Sequence, residues 1–165
     1  MAHLTKPKLW KKIRRYEFSD LQDGTSFESY LKNTIKVSPE TVAAAITEYR
    51  RFIYLCMVAP GEMVPSQKVD EVWHAHLILT EDYWERFCPD VLGRKLHHIP
   101  GSVGFLESDD YAKTLMRYQR EFGKFPPKSF WPRKRRNTKK YWEKLVRLQW
   151  FLQLLDFGKG SICLL

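Results

Sequence analysis

The chain has 165 residues, of which 44% are hydrophobic and 15% aromatic, and its formal net charge is +9. This length suits one domain, and this composition excludes a wholly disordered chain. The three cysteines form no CxxC pair and are odd in number, so a reducing, cytoplasmic environment is expected. The chain contains no run of about 18 apolar residues, so no membrane-spanning helix is expected. The first residues lack the apolar segment of a secretory signal.

The first half of the chain carries clear helix signals. The segment FESYLKN, which follows a turn at residues 23–25, predicts a short helix. Ser38 and Pro39 are typical of a helix start, with a hydroxyl N-cap and a proline in the first turn. Apolar residues recur at helical spacing behind them as far as Met57. A second and longer helix is therefore expected there.

The next predicted helix is capped by Ser66 and extends from residue 67 to about residue 87. The sequence Cys-Pro-Asp at 88–90 is expected to end it, because proline interrupts an α-helix. Glycines and prolines between residues 91 and 107 predict an ordered loop. A further helix is expected from residue 108 to Gly123.

The segment after residue 132 combines a basic linker, PRKRRNTKK, with a predicted helix at about residues 141–155. Its apolar surface could dock on the domain's own core, join a second copy in a homo-oligomer, or lie on a membrane. No β-type alternation longer than a few residues appears in the chain. The sequence therefore predicts an all-α bundle of about five to six helices, with an ordered Gly/Pro loop and basic terminal extensions.

The positive charge is concentrated at the two ends, since residues 16–132 are mildly acidic. We expect a basic N-terminal extension at 1–15, a helical domain at 16–132, and a basic linker with an amphipathic helix at 133–165. Such ends could bind nucleic acid or an acidic protein in a salt-dependent way, or could serve as solvated arms. The basic contact residues predicted for such a partner are Arg133, Lys134, Arg135, Arg136, Lys139 and Lys140.

Four of the five histidines lie close together in the sequence. His74 and His76 belong to the predicted helix, whereas His97 and His98 belong to the loop after it. At about 100° per residue, His76 lies on the apolar face of the helix and His74 lies about 160° away, on the side of Asp70. One ion therefore cannot bind both rings of this WHxH segment, unlike those of an HExxH pair.

A buried imidazole needs a partner for each ring nitrogen, or it costs about 1–3 kcal/mol. The loop can bring His97 or His98 to His76, and converging imidazoles with a carboxylate would bind zinc or another transition metal. In this hypothesis His76 and His98 are the inner ligands, His97 is an alternate, and His74 and Asp70 contribute at the rim. Cys56, Asp109 and Asp110 are further candidates without a diagnostic spacing.

Two alternatives to a metal site remain open at this stage. His76 and His97 could be hydrogen-bonded core residues that hold the loop against the helix, or they could act as acid and base without a metal. If a metal ion kept an open coordination position, hydrolysis by metal-bound water would be the expected reaction class. Nucleophilic catalysis by a cysteine has little support, because free cysteines most often pack inertly.

The WHxH helix and the paired histidines resemble proteins of the glycine-rich domain-containing protein-like family. The resemblance covers about residues 45–125 and implies a compact helical domain whose shared polar residues are Asp70, His74, His76 and His98. It implies no reaction, because that family is largely uncharacterised. The chain differs at residues 91–93, where an aromatic–glycine pair is usual, and it lacks a long glycine-rich segment. The matching positions are Val69, Asp70, Glu71, Trp73, His74, His76, Leu77, Thr80, Tyr83, Cys88, Leu96, His98 and Pro100.

Overall fold

A computed structural model describes residues 3–35, 38–99 and 109–133. In these residues the chain forms six helices and no strand, which confirms the all-α prediction. The helices are α1 (Pro7–Arg15), α2 (Phe27–Ile35), α3 (Pro39–Val58), α4 (Gln67–Ile78), α5 (Asp82–Leu92) and α6 (Asp109–Phe122).

Helix α3 lies at the centre of the fold and contacts α1, α2, α4 and α6. Its first turn forms as predicted, since the Ser38 side chain accepts a hydrogen bond from the Thr41 backbone N–H. Tyr49, Phe52 and Ile53 are fully buried. A helix that is buried on several sides must be surrounded by other helices, so α3 provides the surface on which the others pack.

Helix α1 falls within residues 1–15, which the sequence analysis sets apart as an extension. It packs on α3 and α5, and Ile13 is fully buried. The Trp10 ring lies edge-on to Tyr54 and Phe122, with centroids 5.6 and 5.2 Å away. This helix therefore belongs to the unit formed by residues 1–132. Residues 133–165 form a second unit, of which the structure describes only Arg133.

The prediction of one helix from residue 67 to about 87 is wrong. Helix α4 ends at Ile78, and Leu79 leaves the helical conformation with φ −79° and ψ 67°. Helix α5 then continues through Pro89 to residue 92 with π-type hydrogen bonding. In such a turn the hydrogen bond runs to the fifth preceding residue, so proline does not meet the i−4 carbonyl as it would in an α-helix.

Several predictions from the sequence lie outside the described residues. They concern residues 100–108 of the Gly/Pro loop, the start of the last described helix at residue 108, the basic linker after residue 133, and the amphipathic helix at 141–155. Among the described helices, none is both long enough and apolar enough to cross a membrane.

Gly93 ends α5 with a φ of 73°, a left-handed conformation that glycine adopts without strain. Gly61 has no positive φ, and a β-carbon at either glycine would meet no described atom within 4 Å.

We expect Gly93→Ala to lower the free energy of unfolding by about 1 kcal/mol through backbone strain alone. Gly61→Ala is the matched control and should leave it unchanged or raise it by up to about 1 kcal/mol. Urea unfolding measures both, and equal effects would show that the end of α5 is not strained by a side chain.

Candidate metal centre

His76 is completely buried, and each of its ring nitrogens has a hydrogen-bond partner. Nδ1 lies 2.8 Å from the Tyr49 hydroxyl, and Nε2 lies 2.9 Å from Oδ2 of Asp82. The aromatic rings of Phe18, Tyr83 and others surround the imidazole. No nitrogen lone pair of His76 therefore remains for a metal ion.

Asp82 is also buried, with 2% of its side chain exposed. Its Oδ1 accepts hydrogen bonds from Tyr16 at 2.7 Å, Ser19 at 2.6 Å and Arg86 at 2.8 Å. Burial by itself raises the pKa of the Asp82 carboxyl, but hydrogen bonds from His76, Ser19 and Tyr16 outweigh it and lower this pKa to about 2. Asp82 is therefore ionised at neutral pH.

Burial lowers the pKa of His76, and the hydrogen bond to Asp82 only partly offsets this effect. A neutral imidazole beside an ionised carboxylate donates from Nε2, which leaves Nδ1 to accept from the Tyr49 hydroxyl. Burial also raises the pKa of Tyr49, so its hydroxyl keeps the proton that it donates. Tyr49, His76 and Asp82 thus form a continuous chain of hydrogen bonds in the core.

The prediction that His76 and His98 are the two inner ligands does not agree with this geometry. His76 uses both nitrogens in the core, whereas His98 turns towards the outer side of α4. There its Nε2 lies 2.8 Å from Oδ1 of Asp70. The sequence argument correctly placed His76 on the apolar face, but it did not anticipate that Tyr49 and Asp82 would supply its partners.

A second cluster contains Asp70, His74 and His98. One ligand atom from each residue lies within 4.8 Å of the other two. Asp70 Oδ2 is 3.4 Å from His74 Nδ1, and the two imidazole centroids are 4.4 Å apart. The His74 side chain is 55% exposed and that of His98 is 13% exposed. The cluster is therefore accessible from solvent while one of its imidazoles is largely covered.

Helix α4 places two of these residues through simple periodicity. Ser66 caps the helix by accepting from the Val69 N–H, and Asp70 and His74 follow one turn apart on the same side. Trp73, which directly precedes His74 in the sequence, makes an edge contact with the His98 ring at a centroid distance of 4.5 Å. The His98 ring is therefore held between the rings of Trp73 and His74.

The position of His98 also depends on a hydrogen-bonded chain beneath the loop. The Trp73 Nε1–H donates to the Tyr83 hydroxyl at 3.0 Å, and this hydroxyl donates to the carbonyl of Leu96 at 2.6 Å. Since Leu96 is two residues before His98, the loop is anchored beside α4. The structure thus brings His98 to its place through residues of both α4 and α5.

The cluster borders a groove with a volume of about 430 Å³, whose wall includes Asp70, Trp73 and His98. The rest of the wall comes mainly from the connection between α3 and α4 and from the loop that carries His98. Its apolar members are Met63, Val64, Pro65, Leu96 and Ile99. Glu62 and His97 also line the groove. A ligand of moderate size could therefore lie against the Asp70 carboxylate and the imidazoles of His97 and His98.

The remaining predicted ligands lie outside the cluster of Asp70, His74 and His98. His97 is exposed, and its ring packs 5.2 Å from that of Trp84. Cys56 borders the groove, but burial raises the pKa of its thiol, so it stays protonated near neutral pH. Asp110 pairs with Lys113 at 2.7 Å, and Asp109 does not belong to the cluster.

The cysteines and the basic residues are the other candidate sites. Burial raises the pKa of Cys88 as well, which gives no support to a cysteine nucleophile. Arg133 is the one predicted basic contact residue within the described part of the chain. The others, Lys134, Arg135, Arg136, Lys139 and Lys140, lie outside it.

Sequence reasoning missed three buried carboxylates. Asp82 binds His76, Glu48 accepts from the Trp131 Nε1–H at 2.9 Å, and Glu121 accepts from the Thr5 backbone at 2.8 Å. Glu48 could have been found from its position between Ala45, Tyr49 and Phe52 on a strongly apolar helix. Glu121 has a similar position between Tyr118 and Phe122, whereas Asp82 carries no comparable signal.

The fold and this cluster define a small all-α domain with a solvent-accessible cluster of two histidines and a carboxylate. Residues 9–123 match the family model described as UCP032817-like, and the chain belongs to that family. The match supports an uncharacterised family and not the glycine-rich domain-containing name suggested by the resemblance. It begins within α1, as expected if that helix is part of the domain. No curated protein and no solved structure matches the chain.

The buried His76 predicts a specific dependence of stability on pH. The unfolded chain binds a proton at His76 below a pKa of 6.5, whereas the folded protein resists protonation because its pKa is lowered. The unfolded state then holds more protons, so the free energy of unfolding should fall as the pH decreases from about 7 to about 5. Urea unfolding at several pH values should show a smaller decrease in His76→Gln than in the wild type.

The control for this experiment is His97→Gln, which removes an exposed imidazole and should keep the wild-type slope. Below the pKa of unfolded aspartate, 3.8, a further loss of stability should follow as the pH falls towards about 2, because the folded pKa of Asp82 is lowered. An identical slope between about pH 7 and about pH 5 in the wild type and in His76→Gln would contradict the assignment of a neutral His76.

Proposed function

We propose that this protein is a metal-binding helical domain in which Asp70, His74 and His98 hold a transition-metal ion. The observation that carries the proposal is the convergence of two imidazoles and one carboxylate within 4.8 Å at the edge of a groove. Two of these residues come from one helix turn, and the third comes from a loop anchored by separate hydrogen bonds. Such convergence is what a metal centre requires of its ligands.

The distances are compatible with a common ion after small side-chain movements. Two ligand atoms that each bind an ion at about 2.1 Å can lie at most about 4.2 Å apart. The distances from Asp70 Oδ1 to His98 Nε2, 2.8 Å, and from Asp70 Oδ2 to His74 Nδ1, 3.4 Å, lie within this limit, each through a different carboxylate oxygen. The three ligand atoms, which lie within 4.8 Å of one another, must come within about 4.2 Å of one another to share an ion. The exposed side chain of His74 can make this movement.

The ligand chemistry favours zinc, with iron(II) as the closest competitor. Two imidazoles and one carboxylate form the ligand set of several catalytic zinc sites and of the non-haem iron(II) enzymes. Calcium and magnesium prefer oxygen ligands and fit less well. Three protein ligands leave at least one coordination position for water.

The groove would let a substrate approach the open coordination position of the ion. A substrate lying against Trp73 and the apolar wall would place a polar group beside the ion, where metal-bound water is the usual nucleophile of hydrolytic sites. Hydrolysis is therefore the reaction class that we propose, provided that the ion is bound. Asp70 could instead act only as a hydrogen-bond partner that fixes the loop, and the experiment must separate these two roles.

The decisive measurement is a titration of the full chain, purified without a histidine tag, with Zn²⁺ and with Co²⁺ as a spectroscopic reporter. We expect one equivalent to bind, and we expect His74→Gln to weaken binding by at least about tenfold because it removes one ligand. His74 is the most informative position, since its exposed side chain contributes little to the fold. His98→Gln should weaken binding as well.

His97→Gln is the matched control, because His97 is an exposed neighbour of His98 that lies outside the cluster. It should leave metal affinity within about twofold of the wild type. Equal weakening in His74→Gln and His97→Gln would indicate non-specific binding to surface imidazoles. The absence of binding in the wild type would contradict the proposal and leave the Asp70–His98 pair as a structural contact.

A further inference from the structure

Four cationic side chains line a separate pocket of about 310 Å³. Arg14 comes from α1, Arg50 and Arg51 come from α3, and Lys124 follows the end of α6. No carboxylate of the described residues belongs to its wall. Positive charges that face one cavity repel one another, so a cavity of this composition favours an anion.

The two arginines of α3 are held in fixed positions by the core. Arg50 donates from Nη2 to the carbonyl of Tyr16 at 2.6 Å, and its guanidinium lies 5.1 Å from the centre of the Phe18 ring. Arg51 donates from Nη1 to Glu48 and, at 2.8 Å, to the Tyr118 hydroxyl. Because these contacts already restrict both side chains, binding an anion would cost little additional ordering.

The hydrogen bonds of these arginines are incomplete. The Nε atoms of Arg50 and Arg51 are buried and have no hydrogen-bond partner within the described part of the chain. Buried donors normally have a partner, and one that lacks it calls for an explanation. An oxyanion in the pocket would add an acceptor beside these two guanidinium groups. It would also reduce the repulsion among Arg14, Arg50 and Lys124, whereas Arg51 is already paired with Glu48.

We propose that this pocket binds the phosphate group of a small phosphorylated compound. Guanidinium groups match the geometry of phosphate oxygens. Phosphate also carries more charge than a carboxylate, which suits a pocket lined by Arg14, Arg50 and Lys124 besides the Arg51 that is paired with Glu48. The pocket also contains the rings of Trp10 and Phe122, which pack edge to face at 5.2 Å. A small ligand is favoured over a nucleic acid because the arginines of α3 lie in a concave site.

The experiment is calorimetric titration of the full chain with pyrophosphate, inorganic phosphate and a short single-stranded oligonucleotide. Arg14 and Lys124 are exposed, so the double variant Arg14→Gln/Lys124→Gln should fold normally. We expect it to bind pyrophosphate at least about tenfold more weakly than the wild type, through the loss of two charged contacts. Metal affinity should not change, because none of these residues contacts the histidine cluster.

The control variant is Lys8→Gln/Lys11→Gln, which removes the same charge from exposed positions of α1 outside the pocket. It should weaken pyrophosphate binding by less than about twofold. Equal weakening in the two double variants would show that net charge attracts the anion, and would overturn the assignment of a site. Failure of the wild type to bind pyrophosphate, or binding of the oligonucleotide alone, would also overturn it.

Discussion

The hydrogen bond between His76 and Asp82 is the interaction on which the geometry of the histidine region depends. In an uninterrupted α-helix these positions would lie about 9 Å apart along the axis and about 120° apart around it, so their side chains could not meet. The bend after α4 returns Asp82 to His76 at 2.9 Å. It also brings the Tyr83 hydroxyl to Trp73 and to the carbonyl of Leu96. The loop that carries His98 is thus positioned from within the core.

Buried carboxylates connect distant parts of the chain in the same way. Glu121 accepts from Thr5, Glu48 accepts from Trp131, and Asp82 accepts from Tyr16. Each contact joins segments that are more than about 60 residues apart, and each carboxylate would be costly if its partners were removed. The two ends of the described domain are therefore held to the central helices by specific polar contacts as well as by apolar packing.

Local sequence signals predicted the parts of this structure that depend on local interactions. Ser38 and Ser66 cap their helices as expected, and the four-residue spacing correctly placed Asp70 beside His74. The bend after Ile78 could not be predicted in this way, because the apolar periodicity continues through residues 79–87 as it would in one straight helix. The bend is accompanied by the burial of Asp82 against His76. This contact depends on tertiary structure and leaves no mark in residue spacing.

The two histidine–aspartate pairs differ in their access to solvent, and this difference separates their roles. His76 and Asp82 are enclosed by aromatic rings, and each has further partners, so their protons and lone pairs are committed to the fold. Asp70 and His98 make a bond of nearly the same length, but the Asp70 side chain is 29% exposed and His74 lies beside it. A bond of this kind can be exchanged for bonds to an ion without unfolding the core. The chain from Trp73 through Tyr83 to the carbonyl of Leu96 anchors the loop separately, so the exposed cluster can exchange its partners while the buried pair stays intact.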